Sequence, residues 1–425
     1  MEVQQEEQQD LEAQKTSIKN KKVDWFIFLL GVFVGCLIVA TISIVFICGN
    51  SSSFRFKKKS QMDKIVTPEV VQKMEKLEEG ISAYYLRADE LDSMSADTIA
   101  DYMYHGLVEG LGDPYSTYFN EEELNSMLES TKGVYYGIGA YIGYNEEKDY
   151  CMVSKCMDNS PAMEAGLKAN DIIVAVDGKD MYKVTTSEIV TYIKGPEHTN
   201  VELTIYREGE SDYLKFNVER SKIETPTVSY KMLDDKIAYI QISEFDGVTG
   251  GQFEQHLNQA NDDGMKALIV DLRDNPGGSL TTVVDMASMV VSKKLIVYTE
   301  DRYKNRTEYK GKYNSMVDVP MVVLVNGNSA SASEIFSGAI QDYDKGIILG
   351  TQTFGKGIVQ KIFSLDDGTA LKLTICHYYT PNGNDIHGIG ITPDEVIELD
   401  VDKYLEDKTD NQLNRAVEIL KKKIK

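Results

Sequence analysis

Three serines lie close together in the segment NSASAS, where Ser329, Ser331 and Ser333 alternate with small residues. The segment separates the apolar run MVVLVN from a stretch that is expected to be helical. A serine at this point would meet the first N–H groups of the helix, which favour negative charge and can support the oxyanion of acyl transfer. Serine is also a common helix N-cap, so the segment read alone could be only a cap.

A second loop, DNPGGS, follows the apolar run KALIVDL. Its adjacent glycines, Gly277 and Gly278, would expose backbone N–H groups toward the serine loop if the two strands are neighbours. One loop would then supply a nucleophile and the other an oxyanion donor. The alternative is a simple tight turn, because Asn-Pro-Gly-Gly is strongly turn-forming.

A nucleophilic serine needs a base, and the sequence offers histidine or lysine. His377 and His387 lie near the end of the expected core, so a Ser-His-Asp triad with either is one alternative. Lys356 lies between two glycines in TFGKGIVQK, and Gln360 follows four residues later. A lysine acts as a base only if burial and a lack of anionic partners lower its pKa by ~3 units. The alternative for Lys356 is an ordinary solvated surface lysine.

No metal or cofactor is expected. The motif HExxH is absent, and the five cysteines form no CxxC pair, which argues against a structural zinc site or a disulfide framework. Whether Cys151 and Cys156 pair stays open. The net charge of −22 argues against nucleic acid as a partner, because an acidic surface repels phosphate.

The elements that would position these loops alternate between apolar strands and helices over residues 236–395. The glycine loop should lead into a helix at residues 280–291, and the serine loop into a helix that runs through Ile340. This alternation predicts a parallel sheet covered on both faces. Upstream, Thr67 is expected to be the N-cap of a helix with Pro68 at its first position.

A run without charged residues extends from Trp25 to Phe54 and exceeds the ~20 apolar residues that a membrane span needs. We expect an uncleaved transmembrane anchor. A cleaved signal peptide, with an apolar region of ~7–15 residues, and a buried core helix are the alternatives. Basic residues flank the run almost equally on both sides, so they do not set its orientation.

Taken together, the motifs LRDNPGG, NSASASE, GKGIVQ and TPNGNDIHGIGITPD resemble those of the carboxyl-terminal processing proteases, also called tail-specific proteases. The segment GLGDPYSTYF is similar to the one that precedes the inserted module of that family. The separation of 25 residues between Ser331 and Lys356 also resembles the family pattern. The resemblance covers about residues 67–400. It implies an α/β protease core of crotonase-like parallel sheet units, with an inserted PDZ domain, an N-terminal helical unit and one transmembrane helix.

The resemblance also implies roles for individual residues. Ser331 would be the nucleophile, Lys356 the general base, and Gln360 the residue that positions the lysine. The backbone N–H groups of Ala332 and Gly277 would form the oxyanion hole, with the second glycine of the pair as the rival for the latter.

The segment YYGIGA resembles the carboxylate-binding loop of a PDZ domain. Gly137, Ile138, Gly139 and Ala140 would offer N–H groups to a peptide C-terminus, and the peptide would add as a strand. At Lys168 many relatives carry arginine, which is thought to couple peptide binding to activation. Lysine has the charge of arginine but lacks its planar guanidinium group, which leaves the coupling role of Lys168 in doubt. An adaptor module that never binds substrate is the alternative.

The function implied is that of a membrane-anchored serine endopeptidase that binds protein C-terminal tails and cleaves nearby through an acyl-enzyme. The family acts outside the cytoplasmic membrane, and some relatives dimerise, so an extracellular catalytic part and a homodimer are expected. The alternatives are a non-catalytic membrane PDZ scaffold and a Ser-His-Asp hydrolase.

The expected segments are a cytoplasmic tail (1–23), the anchor (24–49), a linker (50–66), the helical unit (67–133), the PDZ domain (134–222), the protease core (223–395) and a C-terminal helical segment (396–425).

Overall fold

The computed structural model describes residues 65–87 and 96–424. The predicted tail (1–23), the predicted anchor (24–49) and nearly all of the predicted linker lie outside these residues. Within the described ranges, no helix combines the length and the apolar character that crossing a membrane requires. The chain divides into two compact units: residues up to Ile99 with Phe363–Gly368, and Ala100–Ile362 with Thr369–Lys425.

The bounds of the regular elements are as follows. In chain order, the described α-helices are α1 (Pro68–Tyr84), α2 (Ala96–Glu109), α3 (Glu121–Lys132), α4 (Pro161–Glu164), α5 (Thr186–Ile193), α6 (Thr249–Asp262), α7 (Leu280–Val291), α8 (Ala332–Asp342), α9 (Val401–Asp407) and α10 (Asn411–Lys423). The strands are β1 (Thr117–Phe119), β2 (Val134–Gly137), β3 (Ala140–Asn145), β4 (Tyr150–Cys156), β5 (Ile172–Val176), β6 (Lys179–Asp180), β7 (Asn200–Tyr206), β8 (Leu214–Glu219), β9 (Ser221–Glu224), β10 (Val228–Leu233), β11 (Ile237–Ile242), β12 (Ala267–Asp271), β13 (Leu295–Asp301), β14 (Arg306–Lys310), β15 (Met321–Val325), β16 (Ile347–Gly350), β17 (Ile358–Ser364), β18 (Ala370–Tyr379) and β19 (Glu395–Val396).

Helix α1 of the first unit begins where the sequence predicts. The hydroxyl of Thr67 accepts from the Val70 N–H at 3.4 Å, and Pro68 occupies the first helical position. None of its side chains is buried.

A six-stranded sheet forms the centre of the second unit, in the order β10-β11-β12-β15-β16-β19. All neighbours are parallel except β10 and β11. Every residue of β12 and β15 is buried, as expected for strands covered on both faces. Leu268 and Val270 pack against α6, α7 and α8, whereas Ala267 and Ile269 lie in the cluster that α10 covers. The alternation of side chains along a strand therefore builds two cores, one on each face.

A second, antiparallel sheet has the order β1-β18-β13-β14, with β17 paired to β18. Strand β1 brings the segment around Thr117 against Lys372, more than 250 residues later in the chain. This pairing places the residues that precede β1 beside the loop between β16 and β17.

The module between α3 and β10 has a core of its own. Its sheet has the order β3-β4-β5-β7-β8, with β6 paired to β5, and α5 packs beside β3. Strands β2 and β9 pair with each other, Val134 opposite Glu224, and form the stem through which the chain enters and leaves the module. Cys151 and Cys156 are both buried in this module, and both are free thiols. The predicted domain boundaries themselves stay predictions.

Candidate active site

The serine loop connects β15 to α8 and is bound to the glycine loop that follows β12. The Ser329 hydroxyl donates to the carbonyl of Leu272 at 2.8 Å, and the Ser333 hydroxyl donates to the carbonyl of Asn275 at 2.9 Å. The Ala330 N–H donates to the same Asn275 carbonyl at 3.0 Å. The outer two of the three serines therefore fix one loop to the other, which leaves the middle one for chemistry.

Ser331 has an unusual backbone conformation, with φ 53° and ψ −110°. A non-glycine residue with positive φ is strained by about 1–3 kcal/mol and persists only where its surroundings hold it. Here the Ser331 N–H donates to Glu334 Oε2 at 2.8 Å, and the Tyr378 hydroxyl donates to the Ser331 carbonyl at 3.0 Å. The residue lies directly before α8, so its side chain is at the positive end of the helix dipole.

The glycine loop approaches Ser331 so closely that a side chain would not fit. A Cβ atom on Gly277 would lie 2.7 Å from the Ala330 carbonyl oxygen, 2.8 Å from Ser331 Cβ and 2.9 Å from the Ala332 nitrogen. Gly277 also has φ 108°, a conformation that favours glycine. The backbone of this loop and the start of α8 thus line one small region, as an oxyanion hole requires.

The two candidate glycines differ in their hydrogen bonds. The Gly277 N–H donates to the side chain of Asn275 at 2.9 Å. In the part of the chain that the structure describes, the N–H groups of Gly278 and Ala332 have no protein acceptor. Of the two glycines, Gly278, the rival in the sequence analysis, is therefore the one whose N–H is not used by the described protein.

Lys356 lies in the loop between β16 and β17 and is half-buried. Its Nζ lies 4.6 Å from the centre of the Tyr115 ring, a cation–π distance. Burial lowers the pKa of the Lys356 amine, the positive charge of Lys372 lowers it further, and Asp113 and Glu334 act in the opposite direction. Burial and the neighbouring lysine thus favour the neutral amine, which is the form that a base needs, and the two carboxylates oppose it.

Gln360 forms no hydrogen bond with Lys356 within the described part of the chain. Its side-chain amide donates to the Thr374 hydroxyl at 3.3 Å, and the Thr374 N–H donates to the Ser116 hydroxyl at 3.1 Å. Ser116 in turn donates to Asp113, which extends the network to the segment before β1. Among the described residues, no hydrogen bond joins the Ser331 hydroxyl to the Lys356 amine. The structure brings the glycine loop, the serine loop and the loop that holds Lys356 to one edge of the central sheet. The Lys356 amine lies over the Tyr115 ring.

The two histidines that the sequence offers as alternative bases contact each other. The rings of His377 and His387 meet edge to face, with centroids 5.2 Å apart. The backbone of His387 lies against Gly357, where a Cβ atom would be 2.5 Å from the His387 nitrogen. Within the described residues, neither ring forms a hydrogen bond with Ser331 or with a carboxylate, so no triad is assembled.

In the inserted module, the predicted carboxylate-binding loop joins β2 to β3. Ile138 is buried, and its carbonyl accepts from Ala162 at 2.8 Å. The loop leads into β3, which is an edge strand of the module's sheet and has α5 beside it. An open edge beside a helix is the arrangement to which a peptide can add as a further strand.

Two lysines of this module lie in different surroundings. The side chain of Lys168 is exposed, and its backbone N–H donates to Asp171 at 2.7 Å. Lys194, which the sequence analysis did not single out, directly follows α5, and its Cγ lies 4.0 Å from the position of a Cβ atom on Gly137. Its Nζ is 3.0 Å from Glu129 of α3. The one local signal in the sequence is its place directly before Gly195 and Pro196, a pair that favours a turn.

Comparisons with known proteins identify the family of this chain. A sequence profile described as "Peptidase family S41" matches residues 236–397, and one described as "PDZ domain" matches residues 152–207. A probable CtpA-like serine protease of Staphylococcus aureus (strain COL) is 33% identical over 387 residues, which cover 90% of this chain and 74% of that protein. The corresponding protein of Staphylococcus haemolyticus is 33% identical over 383 residues, covering 89% and 73%.

A solved structure titled as the photosystem II D1 C-terminal processing protease is also similar. It has 26% sequence identity and a TM-score of 0.44, over 78% of this chain and 94% of that one.

Proposed function

Because this chain belongs to peptidase family S41, we propose that Ser331 and Lys356 are the dyad with which it cleaves protein C-terminal tails. It is a serine-type carboxyl-terminal processing peptidase and carries a PDZ domain. The PDZ groove would bind the C-terminus of the substrate, and the core would cut the chain nearby. One observation carries the proposal: a strained serine at a helix start, packed against a glycine loop, lies in the same region as a half-buried lysine whose pKa is lowered.

The chemistry follows from these positions. The Ser331 oxygen attacks the substrate carbonyl carbon while the neutral Lys356 amine takes the hydroxyl proton. The negative oxygen that forms is stabilised by the N–H groups of Ala332 and Gly278. The protonated lysine then donates its proton to the leaving amine, and an ester on Ser331 remains. Water hydrolyses this ester with the same lysine as base, which restores the free serine.

Movement of one side chain is part of the proposal. The Lys356 amine lies over Tyr115 without a hydrogen bond to the serine, and a lysine has several rotatable bonds with which to turn. Apo geometry of this kind is common, since catalytic hydrogen bonds often tighten only when substrate is bound. Gln360 would hold the amine in its working position after that turn.

The experiment compares cleavage and binding by the full chain in detergent. Wild type should cleave a peptide with a free C-terminus, whereas Ser331→Ala and Lys356→Ala should each lose at least ~10³-fold in kcat. Ser331→Ala should still bind the peptide. Amidation of the peptide C-terminus should raise KM by about 10- to 100-fold, because a charged hydrogen bond to the loop at Gly137–Ala140 contributes ~1.5–3 kcal/mol.

Two outcomes would favour the alternatives. Binding without cleavage by the wild type would indicate a PDZ scaffold. Loss of activity in folded His377→Ala and His387→Ala variants, with activity retained in Lys356→Ala, would indicate a histidine base.

We further propose that residues 24–49 anchor the enzyme in the cytoplasmic membrane with the catalytic part outside. The support is the uncharged run from Trp25 to Phe54, which has the length of a membrane span. Protease added to intact cells should remove the catalytic part, and carbonate washing should leave the chain with the membranes. Recovery of the whole chain in the soluble fraction would contradict the anchor.

A homodimer is the last part of the proposal. Helix α1 leaves the apolar side chains of Val71, Met74, Leu77 and Ile81 more than 40% exposed on one face. A second copy of this chain could cover such a stripe. Sedimentation in detergent should give the mass of a dimer, and Leu77→Glu should shift it to a monomer.

A further inference from the structure

Glu334 is a buried carboxylate in the first turn of α8, three residues after the nucleophile. Its exposed fraction is 0%. Its Oε1 accepts from the Thr353 hydroxyl at 2.6 Å and from the Gly355 N–H at 2.7 Å. Its Oε2 accepts from the Ser331 N–H at 2.8 Å and from the Lys356 N–H at 2.9 Å. Four hydrogen bonds therefore converge on one side chain.

All four partners are donors, and this restricts which side chain fits. Only a carboxylate offers acceptors alone on both atoms, whereas a glutamine amide would turn two N–H donors toward other donors. Burial of a charge is tolerated when several hydrogen bonds compensate it. The N-terminal end of a helix further favours negative charge. The site is thus built for an ionised glutamate.

One oxygen atom connects the two halves of the dyad. Because Oε2 accepts from both backbone N–H groups, Ser331 and Lys356 are held on either side of a single atom. The bond to the Ser331 N–H also falls on the residue whose φ of 53° needs support. Through Thr353, whose hydroxyl accepts from the Ile391 N–H at 2.6 Å, the same carboxylate reaches the GIGITPD turn.

We infer that Glu334 is a positioning residue that fixes the backbones of Ser331 and Lys356 relative to each other, so that hydroxyl and amine can meet when substrate binds. The inference rests on the proposed function and assigns Glu334 no contact with substrate. A misplacement of about 1 Å in such a pair reduces the rate on the order of 100-fold.

The charge of Glu334 gives a signature that separates this role from simple packing. The charged or titratable groups that act on Lys356 are Lys372, Asp113 and Glu334, with the Tyr115 ring beneath the amine. Glu334 raises the pKa of the Lys356 amine, so removal of its charge should lower that pKa. The acid limb of the pH–rate profile should then move to lower pH even while the rate falls.

The test uses the full chain in detergent with a tail peptide as substrate. Glu334→Gln should lower kcat about 100-fold, change KM by less than about 3-fold, and move the acid limb to lower pH. Glu334→Asp keeps the charge but is one methylene shorter, so kcat should fall while the acid limb stays in place. Ser337→Ala, which removes a buried hydroxyl from the same helix, should leave kcat unchanged.

The outcomes test the positioning role of Glu334 separately from the proposed function of the chain. Full kcat in folded Glu334→Gln, or a loss with an unmoved acid limb, overturns the positioning role. If Glu334→Gln does not fold, Glu334→Asp decides by its kcat, and failure of both to fold assigns Glu334 to stability alone. Wild type that cleaves no more than Ser331→Ala would refute the proposed function instead.

Discussion

One turn of the PDZ module and one contact of the protease core use left-handed backbone conformations for different purposes. In the module, Asp177 and Gly178 have φ of 48° and 79° in the tight turn between β5 and β6, and a Cβ atom on Gly178 would meet nothing within 4 Å. In the core, Gly277 and Ser331 have φ of 108° and 53° where two loops touch. Positive φ turns the chain at the first place and lets two loops come into contact at the second. Gly277 should therefore tolerate much less change than Gly178.

The largest expected effect comes from the same substitution made in both regions. Gly277→Ala should reduce kcat by about 10²- to 10³-fold, because the new methyl group would push the start of α8, and with it the Ala332 N–H, out of the proposed oxyanion hole. Gly178→Ala should leave kcat unchanged and lower the free energy of unfolding by only about 1 kcal/mol, from strain alone. Steady-state kinetics and thermal melts of both variants check the difference. Equal kcat values for Gly277→Ala and Gly178→Ala would contradict the expected difference between the two positions.

The regularity of the core explains why so much of it could be predicted. The helix expected at residues 280–291 is α7, Leu280–Val291, and the apolar runs KALIVDL and PMVVLVN contain β12 and β15. Continuous burial on both faces leaves a continuous apolar signal. The S41 fold with its PDZ domain is confirmed, whereas the assignment of individual site residues stays a prediction.

The features that could not be predicted from the sequence depend on contacts between residues that are distant in the chain. Strand β1 pairs with β18, and nothing in the three residues TYF indicates a partner at residues 370–372. Glu334 resembles an ordinary first-turn glutamate, and its partners at Gly355 and Lys356 lie about 20 residues later. The choice between Gly277 and Gly278 depends on one hydrogen bond to Asn275. Such features arise from tertiary geometry, which local patterns do not encode.

Lysines provide a second contrast between the two regions. In the core, burial lowers the pKa of Lys372, which belongs to β18, and that of Lys356. In the module, the hydrogen bond to Glu224 raises the pKa of Lys222. The surroundings of Lys356 and Lys372 therefore favour the neutral amine, whereas Glu224 favours the ammonium form of Lys222.

Removal of the second lysine should sharpen that contrast. Since the positive charge of Lys372 lowers the pKa of Lys356, Lys372→Gln should raise that pKa and shrink the neutral fraction at pH 7. The acid limb of kcat/KM should move to higher pH, with a loss of about 3- to 10-fold at pH 7. A pH–rate profile measures this directly. Lys222→Gln is the matched control, and an unmoved limb in Lys372→Gln would show that the amine is tuned by burial alone.

The smallest effect is expected where the two regions join. Asp246 follows β11 and lies against Gly133, which ends α3 just before the module begins. Burial, followed by repulsion from Glu244, raises the pKa of Asp246 to about 6. The folded chain therefore binds a proton that the unfolded chain has released between about pH 4 and pH 6. Stability should fall across that window as pH rises.

An asparagine at this position would remove the charge and keep a donor for Glu244. Asp246→Asn should therefore raise the melting temperature of the full chain by about 1–3 °C at pH 8, and by almost nothing near pH 4. Melts at the two pH values provide the measurement. An equal gain at both would mean that shape rather than charge is responsible, and the junction would then resemble the turn at Gly178, where backbone strain alone sets the expected effect.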